Sequence, residues 1–148
     1  MWFLVFAGAV AFVLYYAGVV GMPKSISDVP GAILGLANAI DRFEDGRAGT
    51  DKRGNYNPGN LKYTQWTRSQ GAIGKDSAGF CIFPDWTTGW NALIALLLLR
   101  RRQHPNWSIL DLMMSYAPPS DNNPTQQYAQ FVAGYVGGDI NTKLGELV

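Results

Sequence analysis

The sequence predicts an α+β fold that is mainly α: a helix-rich domain with one small β-ribbon, preceded by a single N-terminal transmembrane helix. Three observations predict it. Apolar residues recur at helical spacing in four stretches beyond residue 30. Between the first two of these the composition turns to Gly, Asn, Thr, Ser and Lys/Arg, with two short strand-like runs. Ahead of them all, the chain opens with a long apolar run whose first charged side chain is Lys24.

That run, WFLVFAGAVAFVLYYAGVVG from Trp2 to Gly21, holds about 20 uncharged residues, which as a helix rise roughly 30 Å, the hydrocarbon thickness of a bilayer. Gly21, Pro23 and Lys24 end it. A cleaved signal peptide fits less well, because there is no basic leader and the run exceeds the usual ~7–15 residues. The expected organisation is an uncleaved transmembrane anchor at 1–23, a linker at 24–30 and one folded domain at 31–148.

Within the domain, Ile33, Leu36, Ile40 and Phe43 form one apolar stripe, with Pro30 suited to the first turn and Asp45-Gly46 ending the helix just beyond Glu44. Leu61 to Trp66 (LKYTQW) and Gly79 to Phe83 (GFCIF) read as the strands of an antiparallel ribbon. Asp85 and Thr87-Thr88 offer caps for a helix through Trp90, Leu93, Ile94, Leu97 and Leu98 to Arg100-Arg101-Arg102, whose cations suit a helix C-terminus. Residues 92–99 are apolar nearly all round, which predicts a central buried helix.

Ser108 and Asp111 form a capping box for the helix Ile109 to Tyr116, and Pro118-Pro119 stops it. Asn122-Asn123-Pro124 predicts a cap with proline at the first helical position, ahead of Tyr128, Phe131, Val132 and Tyr135. Thr142 is expected to cap a last short turn.

Composition narrows the function. Twelve Lys+Arg against 11 Asp+Glu leave a net charge of +1, which argues against a nucleic-acid binder relying on global charge. Apolar residues at 47% and charged residues at 16% exclude a disordered chain. Cys81 is the only cysteine and His104 the only histidine, which excludes an intrachain disulfide, a Cys-rich zinc site and a His-based catalytic metal centre. No metal and no cofactor are expected. The chain has only two glutamates, Glu44 and Glu146. From Arg42 to Lys75, seven Lys/Arg face three acids, a local excess that can steer an anionic polymer or simply solvate a loop.

Glu44 stands beside a large apolar ring at a helix end facing an irregular ribbon. Desolvation in such a place can keep a carboxylic acid protonated near neutral pH and fit it for general-acid chemistry. A solvated surface acid is the plainer reading of that feature alone.

The motifs that follow resemble a known family. Phe43-Glu44 is succeeded by Asn57-Pro58-Gly59-Asn60-Leu61, Gly79-Phe80-Cys81-Ile82-Phe83-Pro84, Gly89-Trp90-Asn91-Ala92-Leu93 and Tyr116-Ala117-Pro118-Pro119 with Asn122-Asn123. In this order and spacing they resemble the small lysozyme-like, lytic-transglycosylase-like domains of bacteriophage and prophage proteins, over about residues 33–136. Asp45 stands where the family has glycine, Tyr56 where asparagine is common, and Pro124 intervenes before Thr125.

The resemblance implies a lysozyme-like fold and a peptidoglycan glycan strand as substrate, cut between N-acetylmuramic acid and N-acetylglucosamine, with Glu44 as catalytic acid/base. A single glutamate suffices where the sugar's own 6-hydroxyl closes a 1,6-anhydro product. A muramidase, the hydrolytic alternative, usually needs a second carboxylate, for which Asp51 and Asp76 are the candidates. Asn57 and Asn60 would bind the glycan, or else hold the turn at Pro58-Gly59. Tyr63 and Phe80, with Trp66, would stack on sugars, or else pack in the core. Tyr116 would place its hydroxyl near Glu44, and Asn123 would bind substrate or cap a helix.

The expected location is a single-pass membrane protein with its catalytic domain facing the cell wall, in a virion membrane or the bacterial inner membrane. Other virion proteins are partners if the chain is carried in a particle. A non-catalytic wall-binding virion module and a holin-like lesion former are the competing classes.

Overall fold

The computed structural model describes residues 26–46 and 54–148. The transmembrane prediction at 1–23 and Asp51 lie outside the described residues. Among those described, no helix is long and apolar enough to cross a membrane.

The domain is mainly helical with one two-stranded antiparallel sheet. Helix α1 (Gly31–Gly46) buries Ile33, Leu36, Ala37 and Ile40 at 1% exposure or less, the stripe that the sequence spacing predicts. The Pro30 carbonyl accepts from Ile33 N and Leu34 N and so starts the helix. Helix α3 (Trp86–Gln103) is capped by Asp85, whose Oδ1 accepts from Thr88 N at 2.7 Å and from Thr88 Oγ1 at 2.9 Å. Its Ala92, Leu93, Ile94, Ala95 and Leu97 are all buried, as expected of a central helix.

Helices α4 (Ile109–Tyr116) and α5 (Thr125–Tyr135) complete the bundle, α5 packing on both α1 and α4 and α3 packing on α1. Tyr128, Val132, Ile109, Leu112 and Met113 fill the main core with the α1 and α3 stripes. Each such fully buried large side chain contributes about 1.5–3 kcal/mol. The chain end is stitched to this bundle. Leu144 and Leu147 enter the core, Arg101 Nε donates to Leu144 O at 3.0 Å, and Ala32 N donates to Val148 O at 3.0 Å.

The ribbon departs from its prediction. The sheet pairs β1 (Gly74–Lys75) with β2 (Cys81–Ile82). Leu61 to Trp66 is no full strand: only Lys62 bridges to Phe80, and the backbone then turns into the short helix α2 (Gln65–Ser69). Thr64 causes the turn. It caps α2 through Thr67 N, while Thr67 Oγ1 accepts from Thr64 N at 2.7 Å. Residues 79–83 do form the ribbon's spine, because Cys81 N donates to Leu61 O and Phe83 N to Asn55 O on one side while Ile73 N donates to Ile82 O on the other.

Two further cap predictions are corrected. The residue before α5 is Pro124 and no side chain caps the helix; Asn122 instead ends a 3₁₀ turn in the left-handed region at φ 61°. Thr142 does not cap the last turn (Leu144–Glu146); its hydroxyl accepts from Asp139 N at 3.0 Å and its carbonyl from Ile109 N.

The Ser108–Asp111 box forms as read. Asp111 Oδ2 accepts from Ser108 N and from Ser108 Oγ, both at 2.8 Å, and Ser108 Oγ accepts from Asp111 N at 3.1 Å. The backbone N–H and then the hydroxyl of Ser108 hold the Asp111 carboxyl below its ordinary 3.8. A depressed folded-state value means stability present above about 3.8 and lost as pH falls through the lower folded value. Ser108→Ala is expected to cost about 1 kcal/mol at neutral pH. The gap to wild type, read by urea denaturation, should narrow as Asp111 protonates below that value.

Gly89, in the first turn of α3, is one close contact between the bundle and the segment leading into the ribbon. A Cβ there would overlap the backbone carbonyl oxygen of Tyr56, which is fixed at φ 51°. Backbone cannot yield as a side chain does, so Gly89→Ala is expected to destabilise by about 1–3 kcal/mol. A lowered thermal midpoint with unchanged helical circular dichroism at low temperature checks this.

Candidate functional site

The C-terminal end of α1 sets the position of Glu44. Phe43 stacks on Tyr128 with ring centroids 3.8 Å apart and 13° between planes, and tilts against Phe131 at 5.6 Å. Successive helical residues point about 100° apart, so the anchoring of Phe43 on α5 turns Glu44 away from that contact. Glu44 is partly exposed and lines a cleft of about 730 Å³ between the ribbon, α3 and α4.

The opposite wall near Glu44 is the turn 57–60. Asn60 N donates to Asn57 O at 3.0 Å and closes the turn. Asn60 itself sits at φ 52°, a left-handed conformation that asparagine tolerates better than most residues. From there its Nδ2 donates to Glu44 Oε2 at 3.0 Å. Its Oδ1 is buried and accepts no hydrogen bond among the described residues. Such an acceptor costs about 1–3 kcal/mol, which a donor on a bound ligand would recover.

Tyr116, the last residue of α4, reaches the same turn, where its hydroxyl donates to Gly59 O. Its ring meets Tyr128 edge-on at 6.4 Å. Burial, then the nearby Glu44 carboxylate, push the phenol well above its ordinary value of 10.0, so Tyr116 remains a neutral donor. Gly59 is required by closeness: a Cβ there would lie 2.9 Å from both Leu93 Cδ1 and Tyr116 Oη. Glu44, Asn60 and Tyr116 thus form one cluster at one end of the cleft.

The structure separates the remaining predicted residues. Asn57 is 1% exposed and belongs to the scaffold: its Oδ1 accepts from Leu61 N at 2.9 Å, and its Nδ2 donates to Leu61 O and Cys81 O at 3.0 and 3.2 Å. That cross-link ties the turn to the ribbon and points away from a glycan role. Tyr63 packs against the smaller core of Leu61, Cys81, Phe83 and Ala92 and does not line the cleft. Phe80 lines it, but Lys62 Nζ covers one ring face at 3.6 Å from the centroid. Asn123 lines it while Nδ2 donates to Pro118 O at 3.1 Å.

Asp76 shapes the ribbon turn and is not among the cleft-lining residues. Its Oδ1 accepts from Ala78 N and Phe80 N, both at 2.9 Å, and its Oδ2 from Asn55 Nδ2 at 2.8 Å. Glu146 lies in the final turn, where its Oε2 accepts from Lys143 N at 3.3 Å. Cys81 is fully buried, and burial raises its thiol above the ordinary 9.0, as befits a small core residue.

Sequence reasoning missed several cleft residues. Lys62 and Thr64 line the cleft beside Trp66, the candidate stacking residue that does border it. Leu96, Leu99, Arg100 and Gln103 line it from α3, and Ser115 and Asp121 from the α4 side. The spacing of 96, 99, 100 and 103 marks one face of a helix, but a helix apolar on nearly every side gives no sign of which face borders a cleft. Compared with protein-family models, with curated proteins and with solved structures, the chain finds no match.

Proposed function

We propose that this chain is a membrane-anchored peptidoglycan lytic transglycosylase with a lysozyme-like domain, phage-encoded, opening the wall at entry or at lysis. The observation that carries the reading is the cluster at the cleft end: one glutamate, held by an asparagine with a buried unmatched acceptor, beside a neutral tyrosine hydroxyl. The order of elements supports it too, with a helix ending in the acid, a small ribbon and a central buried helix. The anchor rests on the apolar run at residues 2–21.

In the proposed reaction, protonated Glu44 gives its proton to the glycosidic oxygen as oxocarbenium-like charge develops on the muramyl ring. The carboxylate then takes the proton of the 6-hydroxyl, whose oxygen closes onto the anomeric carbon. The product is a 1,6-anhydro end, and no second carboxylate is needed. Asn60 Nδ2 donates to Glu44 Oε2 at 3.0 Å and so holds the carboxyl in one orientation through both proton transfers.

A muramidase is the second reading. Asp76 is engaged in the ribbon turn, but Asp121 lines the cleft and offers a carboxylate for activating water. Mass spectrometry of the fragments released from purified sacculi tests the choice: anhydro ends are expected, reducing ends would establish the hydrolase, and no release at all would leave a wall-binding module.

A further inference from the structure

The cleft lined by Glu44 also carries a cation on α3. Arg100, Arg101 and Arg102 close α3 as three consecutive cations, yet they do different things. Arg101 is tied to the chain end through the carbonyls of Leu144 and Gly145. Arg102 is exposed and does not line the cleft. Arg100 lines the cleft, is partly buried there, and its guanidinium makes no hydrogen bond or ion pair among the described residues.

Helix geometry places this group. The turn that carries Asn60 packs on Leu93, since a Cβ on Gly59 would meet Leu93 Cδ1. Arg100 follows seven residues later, roughly 10 Å further along the axis at 1.5 Å per residue. Gln103 adds an amide on the same face, and Trp66 and Thr64 line the cleft from the ribbon side. The cleft that Glu44 lines therefore also holds a planar five-donor cation, carried about two helical turns beyond the residue that supports the Asn60 turn. A guanidinium fork matches a carboxylate in shape and charge.

We infer that Arg100 recognises a carboxylate of the peptide borne by the muramyl residue, so that the cleft selects peptide-substituted over bare glycan. The inference rests on the peptidoglycan reading above. The bland alternative, a cation that merely complements the helix C-terminus, predicts no dependence on the peptide.

Equilibrium binding separates them, using the full chain in detergent and two purified probes: glycan fragments with their stem peptides, and the same fragments after the peptides are removed. Arg100→Gln is expected to bind the peptide-bearing fragment about tenfold more weakly and the bare fragment unchanged, as fits loss of one charge-assisted contact. Arg100→Lys should recover part of the loss. Arg102→Gln removes the same charge outside the cleft and should change neither affinity. Amidating the peptide carboxylates should cost the wild-type protein the same tenfold, a measurement that needs no variant to fold.

Equal loss on both probes, an equal effect of Arg102→Gln, or indifference to amidation would overturn the inference. Its failure is distinct from failure of the enzyme reading. A wild-type protein that binds through Arg100 but releases no fragments keeps this site and loses the catalytic proposal.

Discussion

Glu44→Gln is expected to lower fragment release from sacculi by about 10²–10⁴-fold, the usual contribution of a positioned acid/base. The substitution is well matched to the question. Glutamine keeps the side-chain shape, and its carbonyl oxygen can still accept from Asn60 Nδ2, which now holds Glu44 Oε2 at 3.0 Å. What it cannot do is donate a proton to the leaving oxygen or take one back. Folding should therefore be unchanged by circular dichroism and thermal midpoint, and binding to glycan fragments should persist. Clearing equal to wild type would remove Glu44 from the chemistry. Glu146 is not a rescue candidate, since its carboxylate lies in the final 3₁₀ turn.

The second large effect is on stability. Leu93 is fully buried in α3, where it joins the stripe of α1 and the core of α4 and α5. It also lies against the Gly59 turn that presents Asn60 to Glu44. Leu93→Ala is expected to cost about 2–5 kcal/mol, the transfer term plus the cavity it leaves. Against a typical total of about 5–15 kcal/mol this is a large fraction. Urea denaturation should show a lower midpoint with an unchanged slope. Because the cavity opens beneath the turn, fragment release should fall as well, even at temperatures where the variant is folded. A midpoint shift below about 1 kcal/mol would mean that the core closes around the gap.

Several features were legible because they are local. The α1 stripe, the Asp85 cap and the Ser108–Asp111 box each depend on residues three or four apart, and each forms as the spacing predicts. The placement of Glu44 at the end of α1 follows from the same periodicity. Where prediction failed, a short-range competitor won. Leu61 to Trp66 has strand-like composition, but Thr64 and Thr67 cap each other and bend the chain into α2. The asparagines before α5 looked like caps, yet one ends a 3₁₀ turn and the other holds Pro118 O.

For the site, residue types were readable but their uses were not. Asn57 and Asn60 flank the same Pro-Gly turn and look equivalent in the sequence. Asn57 is sealed into the ribbon by three hydrogen bonds, whereas Asn60, set at a left-handed φ, turns its amide to Glu44. Likewise Asp76 has the chemistry of a second acid, but its Oδ1 closes a backbone turn. Such choices depend on where another segment passes, and the sequence carries no local mark of that.

By itself, then, the sequence determined the four long helices, the caps at Asp85 and Ser108, the α+β class and the glutamate at the end of α1, because these follow from periodicity, capping chemistry and counting. Tertiary structure alone decided that Tyr116, 72 positions after Glu44, shares its turn with Asn60, that Asp121 and Arg100 enter the cleft, and that Tyr63 leaves it. The physical reason is that a cleft is the gap left when α1, α3, α4 and the ribbon pack. Which side chains face a gap is set by how neighbouring elements exclude one another from the same volume, and no single segment encodes that.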